Sequence, residues 1–322
     1  MTTLRTTTCA WRCPLAWRAT ARLGSAALVL LALSACGGET AGVKQRIFGT
    51  PEQASDALIQ AAAQFDQRAI VEILGSEAKP LVLSKDEVSD RNHAAEFAAR
   101  AREQHKLELD SSGTSAILSV GEGDWPLPIP IVKEDSGWRF DAEAGLHEAL
   151  LRRIGENELD AIQVCLGFVE AQRDYARTKH DGALVNQYAQ HIVSTPGKHD
   201  GLAWRGADGS WQGPVGERIA HVIAEGYSDR YQPFHGYYFK VLKGQGPAAP
   251  LGQMDFVVKG LMIGGFALVA APAEYLVTGV KTFIVSHNGI VYQKDLGPQT
   301  LEQFKAMDRY NPDSTWTPAD SD

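Results

Sequence analysis

The sequence predicts an α+β protein in which helices are followed by antiparallel sheet twice over, behind an exported leader. Three observations predict it. Apolar residues recur at spacings of three and four between residues 54 and 106 and again between 156 and 177. The period changes to two between 115 and 140 and again between 236 and 294, and clusters of turn residues separate the blocks. Helix runs followed by strand runs argue for α+β layers rather than the alternating units of a parallel sheet. The expected division is a leader over 1–35, a linker over 36–47, a first domain over 48–150, a second over 151–312 and a tail over 313–322.

The leader carries Arg5, Arg12, Arg18 and Arg22 with no acidic residue, the flank that export machinery retains on the cytoplasmic side. The apolar run Leu23 to Ala35 has 13 residues, a signal-peptide length that falls short of a membrane span. It ends in Leu33-Ser34-Ala35-Cys36-Gly37, which resembles the lipobox of bacterial lipoproteins. The resemblance implies cleavage before Cys36, lipidation of its thiol, and a membrane partner held through more than one acyl chain. Gly37, in place of Asp, implies the outer rather than the inner membrane.

Cleavage removes four of the 31 basic residues and none of the 39 acidic ones, leaving 27 against 39, a formal charge of −12. That balance excludes a nucleic-acid partner and an anionic-lipid surface. Of the four cysteines, Cys9 and Cys13 leave with the leader and Cys36 takes lipid, so Cys165 stands alone. It falls among Leu159, Ile162, Leu166 and Val169, which marks a buried thiol in a helix core rather than a nucleophile.

In the first domain, Thr50-Pro51-Glu52-Gln53 reads as a helix start: a capping hydroxyl, proline at the first helical position, and a glutamine that reaches back. Ala54, Ala57, Leu58, Ala61, Ala62 and Phe65 form one apolar stripe, and Ile70, Val71 and Leu74 a second, short helix closed by Gly75. A third helix is expected from Asp90 to Lys106, with Phe97, Ala98 and Ala101 inward and with His93 and His105 as ordinary histidines. Strands follow at Ser115–Val120, Ile129–Val132 and Gly137–Phe140. Helices closing over such a sheet resemble the cone of the nuclear transport factor 2 fold. In that cone Trp125, Trp138 and Phe140 are either the lining of a small-molecule pocket or core aromatics, the core reading being preferred.

In the second domain Gly155 predicts a break, after which a long helix runs from Glu156 to Arg177. A shorter helix is expected over Leu184–Val193, then a turn-rich loop over Ser194–Gly201, then a helix opened by Pro214 and closed by Gly226. Strands are expected at Gly236–Leu242, Asp255–Lys259, Gly265–Ala270, Val280–Val285 and Ile290–Lys294. Asn288-Gly289 predicts a type I′ hairpin between the last two.

The long helix, Gly236-Tyr237-Tyr238-Phe239, Phe266 to Pro272, Thr278 to Phe283 and Asn288 to Tyr292 resemble the head of type IV pilin-like and pseudopilin proteins over about half of the chain. At the front the resemblance stops, because a pilin begins with its own assembly helix where this chain has a lipobox and another domain. Phe48 to Glu52, Asp124 to Pro130, Gly137 to Asp141, Arg152 to Gly155, Ser194 to Gly197 and His235 to Tyr238 are similar, almost end to end, to the bacterial family catalogued as domain of unknown function 2950. That resemblance implies no particular activity.

No nucleophile elbow, phosphate loop, His-Glu-x-x-His or dinucleotide fingerprint occurs in the mature chain. The richest polar cluster is His180, Asp181, His191, His199 and Asp200, with Asp229 and His235 further on. Two His-Asp pairs near one loop can bind a metal or share a proton, and equally Asp-Gly is a plain turn. No cofactor is expected. Three functions follow in order of preference: a non-enzymatic envelope lipoprotein that holds a partner protein or ligand, a metal-dependent hydrolase built on His180, His191, His199 and Asp200, and an accessory part of a secretion or pilus machine.

Overall fold

Helix α1 (Pro51–Gln64) begins as its sequence requires: Thr50 Oγ1 accepts from Gln53 N at 3.2 Å, and Gln53 Oε1 accepts from Gly49 N at 3.0 Å. The computed structural model describes residues 44–225, 227 and 232–319. The leader, Cys36, Gly226 and Asp229 therefore lie outside the described residues. Helix α2 (Gln67–Leu74) is capped by Asp66 and ends at Gly75, and a 3-10 turn at Ser76–Ala78 leads into the short α3 (Lys79–Val82). Helix α4 (Glu87–Glu103) starts earlier than its apolar pattern indicates, because Asp86 Oδ1 caps Ser89 N at 3.0 Å.

His105 is not helical: it opens a strand absent from the sequence reading, β1 (His105–Leu109). Strands β2 (Ser115–Val120), β3 (Trp125–Pro126), β4 (Ile131–Glu134) and β5 (Gly137–Phe140) complete an antiparallel sheet in the order β1-β2-β4-β5, with β3 on β2. Phe48 pairs with Trp138 at the β5 edge through two 2.8 Å backbone bonds. Leu58, Ile70, Ile73, Ile131, Trp138 and Phe140 fill the core between this sheet and the first helices.

The expected break at Gly155 is absent. Helix α5 runs unbroken from Ala142 to Tyr175, 34 residues or about 51 Å. A glycine costs only about 1 kcal/mol in a helix interior, and the helix continues through Gly155 with Ile154 and Asn157 buried on either side. Its C-terminal half forms the second core: Ala161, Ile162, Cys165, Phe168, Val169 and Tyr175 belong to it.

No helix occupies 184–193. The Gln172 side-chain amide donates through Nε2 to Ala189 O and accepts through Oε1 from Ala189 N, each at 2.8 Å, Tyr188 N donates to Met262 O at 2.8 Å, and the chain continues as β6 (His191–Val193). Strand β6 pairs in parallel with β7 (Gly201–Arg205), which pairs with β8 (Trp211–Gln212), and α6 (Gly216–Ala224) follows. Next come β9 (Tyr237–Leu242), β10 (Gly244–Gln245), β11 (Met254–Asp255), β12 (Val257–Val258) and β13 (Leu261–Met262). The single strand expected at 255–259 is thus two, because the fully buried Phe256 turns the chain from β10 toward β13.

Strands β14 (Ala267–Pro272), β15 (Lys281–Ser286) and β16 (Val291–Asp295), helix α7 (Thr300–Ala306), β17 (Arg309–Tyr310) and β18 (Thr317–Pro318) complete the fold. The large sheet has the order β18-β16-β15-β14-β9. Helix α5 packs on β14 and β15 and α7 packs on β14, so all six residues of β14 are buried and its sequence is continuously apolar. The β15–β16 hairpin forms as expected, but only Gly289 has positive φ, at 77°. The loop is longer than two residues: Gly289 N donates to Ser286 O at 2.9 Å, and the left-handed glycine then turns the chain. No described helix is long and apolar enough to cross a membrane.

Candidate functional site

The fold gathers the predicted histidine cluster at the C-terminal end of α5, around Tyr175 and Trp204. The His180 ring stacks on Tyr175 at 3.8 Å, and its Nε2 lies 2.9 Å from Tyr175 O. The His199 ring lies 4.7 Å from Trp204, and the Tyr175 hydroxyl donates to His199 O. Asp181, at φ 50°, accepts His199 N through both carboxylate oxygens at 2.9 and 3.1 Å. Asp200 accepts Thr195 N at 2.8 Å and Thr195 Oγ1 at 2.9 Å, and His191 Nε2 stays 4.0 Å away. Burial would raise the Asp200 carboxyl, but the two Thr195 bonds outweigh it and hold it below the ordinary value. Asp200 thus caps its own loop, while Asp181 ties the turn after α5 to the loop that carries His199. Among the described residues no three His, Cys, Asp or Glu side chains converge as a metal-holding group.

The three aromatics proposed for a pocket do not share one. Trp138 and Phe140 are packed in the first core, and Trp125 lies on the surface, 61% exposed. Cys165 is fully buried, and burial pushes its thiol up to about 12. It is a packing residue.

A denser polar site lies where the two cores meet, along the middle of α5. Arg153 donates to Pro80 O, Leu81 O and, at 3.0 Å, Asp90 Oδ1, while Asp90 Oδ2 accepts Ser84 N at 2.8 Å. Burial works against both charges, raising the Asp90 carboxyl and lowering Arg153, yet the guanidinium stays protonated. One turn on, Asn157 donates to Thr278 O at 2.9 Å, and Glu158 Oε1 accepts Val280 N and Lys281 N, each at 2.9 Å.

Into this junction docks a tight turn, Phe234-His235-Gly236-Tyr237. Phe234 N donates to Tyr237 O at 2.8 Å and Tyr237 N to Phe234 O at 3.0 Å. His235 and Gly236 have φ values of 47° and 72°, the two positive angles of a type I′ turn. Gly236 N donates to Asp86 Oδ2 at 2.8 Å, and the Tyr227 hydroxyl donates to the same oxygen at 3.2 Å. Asp160 Oδ2 binds His235 Nδ1. Sequence reasoning placed His235 only at the margin of the histidine group. The available signal was His235-Gly236, a dipeptide suited to two left-handed residues.

Two cavities flank this junction, of about 370 and 300 Å³, and Lys85 borders both. The larger lies against Asp86, Arg91, Gln232 and Pro233, the smaller against Glu274, Tyr275 and Thr300. They face the seam between the α4 start and the loops of the second core. The Lys85 ammonium and the Glu87 and Glu274 carboxylates offer this seam charges of both signs.

The family model described as protein of unknown function (DUF2950) matches residues 45–319, which is all but the edges of the described chain. The chain belongs to the DUF2950 family. Neither the curated proteins nor the solved structures contain a match to it. The DUF2950 match spans both cores, the α5 junction and the histidine loops, so the family is defined by the whole body rather than by one half.

Proposed function

We propose that this DUF2950 chain is a bacterial envelope lipoprotein, tethered through lipid on Cys36, whose folded body holds a partner protein or ligand rather than turning over a substrate. The order of features at its start carries this reading: a basic flank, a 13-residue apolar run, Leu33-Ser34-Ala35-Cys36, and then Gly37-Gly38. From Cys36 to Lys44, where the described body begins, the eight intervening steps reach about 29 Å at most when extended. The body is thereby kept close to the bilayer.

A binding role is supported by how the charged groups are used. Asp86, Asp90, Asp181 and Asp200 all direct carboxylate oxygens at backbone N–H groups of their own chain, which is structural work. The experiment is membrane fractionation with acyl-chain labelling of the full chain and of Cys36→Ala. Label and membrane association on the parent, both lost in Cys36→Ala, are expected. A Cys36→Ala protein still in the membrane fraction overturns the anchor. Turnover of a substrate by the mature protein, abolished in His199→Ala or Asp200→Asn, overturns the binding role.

A further inference from the structure

The turn at Phe234–Tyr237 is held to the rest of the molecule from two sides. Gly236 N reaches the Asp86 carboxylate at the start of α4, and the His235 ring reaches Asp160 in the middle of α5. The contact is close enough that a Cβ on Gly236 would stand 2.5 Å from Asn157 Nδ2 and 2.9 Å from Thr278 Cβ. Gln232 and Pro233, immediately before the turn, line the larger cavity beside Lys85, so the position of the turn sets the wall of that cavity.

We propose that His235 and Asp160 form a protonation-dependent latch, closed when the imidazole is charged, that holds this turn and the adjoining cavity wall against the long helix. The pair stands on geometry. His235 Nδ1 faces Asp160 Oδ2, and His235 N lies 3.4 Å from the Tyr227 hydroxyl, which itself is bonded to Asp86. The charges that raise the ring are Asp160 from α5, Glu225 just after α6, and Asp86 from the cap of α4. Tyr227 is neutral, its hydroxyl pushed up by burial. Arg153, the cation of the same junction, is committed to Asp90.

The hydrogen bond to Asp160 raises the His235 imidazole above its ordinary value, against an opposing desolvation. A group raised in the folded state adds stability that is complete below its unfolded value, about 6.5 for histidine, and that is lost as pH rises through the folded value. The latch therefore closes in acid and loosens toward alkaline pH. This property goes beyond the anchoring and partner-holding role and does not depend on it.

The test is amide hydrogen exchange at Gly236 and Tyr237 from about pH 5 to about pH 9, each rate divided by that of buried β14 amides to remove intrinsic pH dependence, with an NMR titration of the His235 ring. In the parent protein the protection ratio is expected to fall as His235 deprotonates. In His235→Gln, which has no charge to lose, the ratio is expected to be low and flat. In Asp160→Asn the ring is expected to titrate at lower pH, and the fall in protection to move with it. A flat ratio in the parent overturns the latch, as does a parent-like profile in His235→Gln. Should His235→Gln not fold, the part-exposed Asp160→Asn carries the test, and an unshifted His235 titration in it overturns the proposal.

Discussion

Arg153 Nη2 lies 3.0 Å from Asp90 Oδ1, with 11% and 2% of the two side chains exposed, so a buried ion pair ties the long helix to the start of α4. Removing one member of such a pair leaves the other charge without compensation. Arg153→Ala is expected to lower stability by about 3–5 kcal/mol, because it also strands the Pro80 and Leu81 carbonyls. Arg177→Ala, at the exposed pair with Asp174, is expected to change stability by less than about 1 kcal/mol. Urea unfolding of both variants checks this, and equal shifts would sink it.

Gly236→Ala is expected to destabilise by more than Gly182→Ala. Both glycines have φ near the left-handed region, 72° and 73°, so backbone strain of about 1 kcal/mol is common to both. Only Gly236 has Asn157 and Thr278 in the way of a Cβ, whereas nothing lies within 4 Å at Gly182. Thermal unfolding of the two alanine variants separates the steric part from the conformational part.

The Cys165 thiol, pushed up to about 12 by complete burial, is expected to resist alkylation by iodoacetamide at about pH 8 in the folded protein. In denaturant it should react at the rate of a free cysteine. Fast modification of the native protein would contradict the packing described for α5.

Phe140→Ala is expected to cost about 3–5 kcal/mol, as for a large side chain removed from a packed core. Trp125→Ala, at an exposed edge position, is expected to stay within about 0.5 kcal/mol. Comparable losses at the two positions, read from denaturant midpoints, would mean that Trp125 packs where its 61% exposure says it does not.

Much of the fold was legible because it is written locally. Thr50, Pro51 and Gln53 carry the start of α1 within four residues. The alternation in Ser115–Val120 and Gly137–Phe140 places β2 and β5 at their observed limits. Where β1 and the 184–193 segment differ from expectation the cause is contacts distant in sequence, whereas the early start of α4 comes from the local Asp86 cap. The 184–193 segment is extended because Gln172 and Met262 supply hydrogen bonds that a local helix would otherwise make for itself. Asn288-Gly289 and His235-Gly236 are both turn dipeptides, and loop length and docking partners gave the type I′ geometry to the second.

The histidine cluster was legible as a group of residues but not as a geometry. His180, Asp181, His199 and Asp200 do come together, yet Asp181 is spent on His199 N, Asp200 on Thr195, and the His180 and His199 rings on Tyr175 and Trp204. The junction was hidden because Asp86, Asp90, Arg153, Asp160, Tyr227 and His235 are scattered over 150 residues with no motif spacing between them.

Local chemistry therefore settled the Thr50 cap, several strands and the buried character of Cys165, and the order of such local patterns along the chain settled the α+β class and the family resemblance. Packing decided the rest: that one helix spans both cores, that Trp125 parts company with Trp138 and Phe140, and that His235 meets Asp160. Burial sets the cost of every unpaired charge and amide, and which groups are buried together is known only once the chain is folded.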